Sequence, residues 1–125
     1  MTLTLALGVV VGGAVGVPAR YLLDRAINHR IHSNLPWGIF AVNALGSFIL
    51  GVLTGLALDA RLSGVDKALL ATGFCGAFTT FSTFTFETVR LFEEGQVLRA
   101  ITNVAGSVTV GLALAAAGMA IGLAY

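Results

Sequence analysis

The sequence predicts an all-α integral membrane protein of four transmembrane helices, with a break in the third. Composition is the first reason. Of 125 residues, 57% are apolar and 10% charged, whereas a soluble domain carries about 25% charged residues, so this chain could not clothe a water-facing surface. A mean hydropathy of +0.93 agrees. The second reason is where the charges fall. Met1–Ala19, Ser33–Leu58, Ala68–Phe86 and Ala100–Tyr125 contain none, giving runs of 19, 26, 19 and 26 residues. A helix needs about 20 residues to cross a hydrocarbon core, so each run spans once and none spans twice. Transmembrane strands would instead show alternation over roughly ten residues. The length allows one domain, 1–125.

Taken in order, the spacing predicts helices over about 3–24, 36–58, 67–92 with a break near 76–80, and 98–123. The first run lacks a basic leader and a clear cleavage site before Arg20, so it is retained as helix one rather than read as a signal peptide. Gly8, Gly12 and Gly16 recur on it at four-residue spacing, as do Gly51 and Gly55 on helix two. Such faces allow close contact in lipid, within one chain or between two. Three short connections hold nearly all the charge: Asp24–Asn34, Asp59–Lys67 and Glu87–Arg99. Loop two carries Arg61 and Lys67, and the opposite side Arg25, Arg30, Arg90 and Arg99, with Arg20 near that boundary. This weak bias leaves two readings open, one orientation or insertion both ways.

Helix three is unusual. In GFCGAFTTFSTFTFE, Thr79, Thr80, Ser82, Thr83 and Thr85 alternate with Phe74, Phe78, Phe81, Phe84 and Phe86 after Gly73 and Gly76. Glycines followed by β-branched residues make a poor helix interior. A break inside a membrane frees carbonyls for a small cation and N–H groups for an anion. A continuous helix whose hydroxyls back-bond to the preceding turn is the alternative.

Intramembrane polar residues are functional candidates by default. No acidic residue lies in any uncharged run, which disfavours a proton-coupled carrier and a cation pore. The groups present are anion donors. Asn43 offers two N–H donors to an ion or a bridge between helices, with Ser47 one turn on. Asn103, Ser107 and Gly111 share a face of helix four, with Thr109 elsewhere. Phe81 and Phe84, three apart, either pack or present positive ring edges to a small hard anion. Arg20, two residues after Pro18, either snorkels to the interface or draws anions into a vestibule. Trp37 reads as an interfacial anchor, His29 and His32 as solvated loop residues, and Cys75 as a small buried apolar residue. One cysteine excludes an internal disulfide, and a net charge of +1 argues against nucleic acid as a partner.

Together, Gly12-Gly13 to Arg20-Tyr21, NALGSFILG from Asn43, and GFCGAFTTFSTF from Gly73 to Phe84 resemble the CrcB/Fluc family of fluoride channels, over nearly the whole chain. The resemblance implies a channel rather than an enzyme, passing fluoride out of a prokaryotic cell across its inner membrane, driven by the membrane potential. It implies an antiparallel, dual-topology homodimer with a structural Na⁺ at its centre, held by backbone carbonyls of Gly76 and Thr79. It also implies pore roles for Asn43, Phe81, Phe84, Ser82, Thr83 and Ser107, and a vestibule role for Arg20. Ala77 and Asn103 depart from the family's usual glycine and tyrosine; the second bears on the outer polar track. A small dual-topology drug or cation antiporter is the rival, but it needs a carboxylate in helix one, where Met1–Ala19 has none.

Overall fold

The computed structural model describes residues 2–32 and 35–125; Met1 and the last residues of the expected first loop, Ser33 and Asn34, lie outside the described residues. Helix α1 spans Leu3–Arg30, opened by the Thr2 hydroxyl, which accepts from the Leu5 N–H at 3.2 Å. It is helical through Pro18 and continues past Asp24, beyond where charges alone would end it. Local pairs one turn apart support this extension. Arg25 donates to the Tyr21 hydroxyl and Asn28 to Asp24 Oδ1, both at 3.0 Å.

Helix α2 spans Trp37–Leu58. Its first turn is capped from α1, since Asn28 Oδ1 accepts from the Gly38 N–H at 3.2 Å. Helix α3 occupies 64–78: an α-turn over Gly64–Asp66, a nine-residue π-helical stretch Lys67–Cys75, and a last α-turn Gly76–Phe78. The chain then extends at Thr79 (φ −83°, ψ 158°) and restarts as α4, Ser82–Glu93. Gly95, at φ +77°, supplies the left-handed turn into α5, Val97–Ala124. Residues 64–93 count as one span, so among the described residues four segments are long and apolar enough to cross a membrane.

Two helix pairs form the body, α2 with α5 and α1 with α3. Both glycine rows serve contacts within the chain. A Cβ at Gly12 would strike the Leu69 carbonyl, and one at Gly16 would lie 2.5 Å from the Phe74 carbonyl. Gly51 and Gly55 lie against the backbone of Ala115 and Met119. In lipid, where no hydrophobic drive separates helix from solvent, this close packing supplies much of the association energy. The buried apolar set is small (Ile39, Val42, Leu53, Ala68, Cys75, Phe78, Leu91 and Ala100), and long rows of Leu, Val and Ile face outward.

Candidate functional site at the helix break

A chain that leaves the helix inside a membrane strands backbone groups, and each needs a partner. At this break the partners are side chains. Thr79 closes α3 locally: its N–H and its hydroxyl both donate to the Cys75 carbonyl, at 3.0 and 2.9 Å. Thr80 is clasped from α2. Asn43 Oδ1 accepts from the Thr80 N–H and Asn43 Nδ2 donates to the Thr80 carbonyl, both at 2.9 Å. The amide thus pairs with the peptide of Thr80 as a neighbouring strand would. The Thr80 hydroxyl accepts from the Thr83 N–H at 3.3 Å, so it caps α4, and it lies 3.4 Å from the Ser82 hydroxyl.

These diversions bear on the carbonyls at the end of α3: those of Gly76, Ala77, Phe78 and Thr79 all lack the N–H four residues on. In an unbroken helix the Gly76 carbonyl would receive the Thr80 N–H, and the Thr79 carbonyl the Thr83 N–H. Asn43 takes the first donor and the Thr80 hydroxyl the second. Gly76 also faces open space, with nothing within 4 Å of where its Cβ would stand. Carbonyls stripped of their helical donors, the Gly76 and Thr79 oxygens among them, are groups that could hold a hard monovalent cation.

Asn43, Thr79, Phe81, Phe84 and Ser107 come together around one recess of about 330 Å³, with Ser47 and Thr80 also on its wall and no charged residue lining it. The Phe81 and Phe84 ring centroids lie 6.1 Å apart at 45°. Phe81 is 78% exposed in the single chain, so the recess is open on that side. The Ser107 hydroxyl is buried with no hydrogen-bond partner among the described residues. An orphan donor on an uncharged wall can serve an anion.

Other expected site residues stand elsewhere. Ser82 is exposed at the start of α4 and lies off the recess wall. Thr83 lines a separate polar recess of about 180 Å³ with Asp24, Asn28, Glu87 and Arg90. There Arg90 is bound to Glu87 at 2.7 Å and to Glu94 at 3.0 Å. Arg20 is half-buried on α1 and lines neither recess. Asn103 is also off the recess wall. Buried at 7% exposure, it donates to the Thr88 hydroxyl at 2.9 Å, so the expected polar face of helix four divides between two neighbours. His29 and His32 are exposed, and no group of three or more metal-binding side chains exists among the described residues.

Sequence reasoning missed two groups. One is the Thr80 backbone as Asn43's partner, which no spacing reveals across 37 positions. The other is the polar face Thr83, Glu87 and Arg90, whose i, i+4, i+7 spacing was a usable signal.

Fold and site together define a small polytopic membrane protein whose broken third span is stitched by an asparagine beside an uncharged, donor-bearing recess. The chain belongs to the CrcB family: the family described as CrcB-like protein, Camphor Resistance (CrcB), matches residues 7–119. It is 46% identical to the "Fluoride-specific ion channel FluC 1" of Streptomyces avermitilis over 111 residues, covering 89% of this chain and 90% of that protein. It is 44% identical to the "Fluoride-specific ion channel FluC 2" of Mycobacterium tuberculosis over 119 residues (94% and 90% covered). It is 40% identical to the "Fluoride-specific ion channel FluC" of Thermus thermophilus over 114 residues (91% and 91% covered).

Proposed function

We propose that this chain is a fluoride-selective channel that lets the anion leave the cell passively, down the membrane potential. Its family membership and the names of its relatives support this reading. The structural observation that carries it is the recess itself, where an amide, hydroxyls and two phenylalanine rings converge without a charged side chain.

The chemistry follows from what fluoride demands. The ion is small and strongly hydrated, so a narrow path must replace its water with donors. One Asn43 N–H is committed to the Thr80 carbonyl, and the amide's second N–H remains for the ion. The Ser107 hydroxyl is unpartnered. Phe81 and Phe84 contribute ring edges, whose partial positive charge favours a hard anion while their bulk excludes water. A larger halide would fit less well and interact more weakly. Ser82 and Thr83 extend the donors toward the second recess, where Thr83 stands. Arg20 draws anions toward the mouth through its field. No proton exchange is needed, because neutral HF enters and dissociates inside, and a negative interior expels the anion.

A working channel takes two copies of this chain, packed antiparallel in the plasma membrane. The open side of the recess at Phe81 supports a second wall, and the weak bias of the loops' cationic side chains, two against four or five, is compatible with insertion both ways. The Gly76 and Thr79 carbonyls of each copy would hold a Na⁺ between them. When bound, that ion supplies positive charge that ties the two broken helices together; it is not cargo.

The test is fluoride efflux from liposomes containing the full chain, followed with a fluoride electrode, with valinomycin carrying the K⁺ counter-current and chloride run in parallel. Fast fluoride release without chloride release is expected. No release from folded protein would sink the channel reading.

A further inference from the structure

Helix α4 carries Phe84 and restarts after the break, where the Thr80 hydroxyl accepts from the Thr83 N–H, so the helix ladder of α3 does not fix how the turn beyond Phe84 sits. Something lateral must. Thr88, one turn after Phe84, donates its hydroxyl to the Phe84 carbonyl at 2.9 Å and accepts from Asn103 Nδ2 at 2.9 Å. Both side chains are buried, Thr88 at 9% and Asn103 at 7% exposure. Leu91, almost one further turn along α4, is fully buried, so this side of α4 is its inward side.

We propose that Asn103 and Thr88 are positioning residues, a two-bond relay from α5 that fixes the turn of α4 bearing Phe84 and thereby sets the width of the ion path. The functional half of this inference rests on the fluoride-channel reading above. The relay requires a hydroxyl that donates and accepts at once, and an amide N–H to complete it. Neither residue touches the recess, so their action on the ion runs through Phe84. Removing Asn103 breaks the link to α5, removing Thr88 breaks that link and the bond to Phe84, and removing both adds little to the loss of Thr88, because linked buried hydrogen bonds act as a unit.

The experiment uses the full chain with its natural Phe84 in liposomes for fluoride and chloride efflux, and the chain with 4-fluorophenylalanine at position 84 in lipid nanodiscs for ¹⁹F NMR alone. The variants are Thr88→Val, Asn103→Leu, their double, the conservative Thr88→Ser, and Thr102→Val as a control. Thr102 makes an equivalent back-bond, to the Leu98 carbonyl at 2.8 Å, on an exposed part of α5.

Thr88→Val and Asn103→Leu should each shift or broaden the position-84 signal and lower fluoride efflux, by about tenfold for Thr88→Val, the scale set by the buried Asn103 donor left unpaired, and by no more than that for Asn103→Leu. The double variant should match Thr88→Val, and Thr88→Ser and Thr102→Val should stay near the parent. An unmoved signal in both single variants, or additive losses of flux in the double, would overturn the relay. If Thr88→Val does not fold, Asn103→Leu against Thr88→Ser makes the same comparison. Should the parent release no fluoride, the channel reading fails while the NMR arm still decides the relay.

Discussion

Asn43 does with one side chain what a neighbouring peptide does in a sheet: it gives a hydrogen bond and receives one from the same residue, Thr80. This fixes what its replacement should do. Asn43→Leu leaves a buried N–H and carbonyl unpaired, at about 1–3 kcal/mol for each. It should lower the unfolding temperature and abolish flux together. Asn43→Asp keeps an acceptor for the Thr80 N–H but sets a carboxylate against the Thr80 carbonyl and places negative charge in an anion path. We expect no fluoride efflux from it, and normal efflux would reduce Asn43 to a packing role. Phe81 and Phe84 separate the two contributions. Phe81 is largely exposed in the single chain, so Phe81→Ile removes a ring without opening the core. Both Phe81→Ile and Phe84→Ile should cut efflux severely while size-exclusion profiles hold; unimpaired flux in both would refute their part in the path.

At the scale of elements, the third crossing shows which features the sequence could reveal. The four spans were legible because charge is excluded from hydrocarbon, and the break because Gly76 and the threonine-rich run favour neither helix nor lipid. Two alternatives for the hydroxyls turn out to coexist, since Thr79, Thr85 and Thr88 back-bond to the preceding turn even though the helix is interrupted among them. The π-helical course of Lys67–Cys75 was not legible. It runs where the glycines of α1 lie against the backbone of α3. Asn103 and Ser107 likewise share a face by spacing, yet one meets α4 and the other the recess, because two different partners cross α5 one turn apart. The close approach of α1 and α3 gives a stability test. A side chain at Gly12 would meet the Leu69 carbonyl and the Phe74 nitrogen, which are backbone and cannot swing aside. Gly12→Val should cost about 1–3 kcal/mol by overpacking, lowering the thermal midpoint in detergent. Gly106→Ala, with nothing within 4 Å of its Cβ, should be silent.

For the whole molecule, the open flank of the recess and the stripped carbonyls meet at the same break. With the Gly76 and Thr79 oxygens as the ligands, one chain gives two, and two oxygens hold a hard cation poorly. A two-fold axis would double the set to four and close the flank at Phe81 in one step, an isologous contact in which each copy gives and receives the same surface. On this reading cation and dimer are thermodynamically linked: an ion bound only by the assembled pair stabilises it by mass action. Exchanging Na⁺ for N-methylglucamine should therefore lower the dimer's unfolding temperature and raise the monomer fraction at fixed protein-to-lipid ratio, and restoring Na⁺ should reverse both. The shift should depend on Na⁺ concentration and be absent with an equal concentration of a bulky organic cation, which separates site binding from ionic strength. Efflux should fall with the dimer fraction and not before it, since the ion ties the helices rather than accompanying fluoride. A dimer equally stable without Na⁺ would leave the Gly76 and Thr79 carbonyls to another partner; efflux lost while the dimer persists would make the cation part of the conducting path.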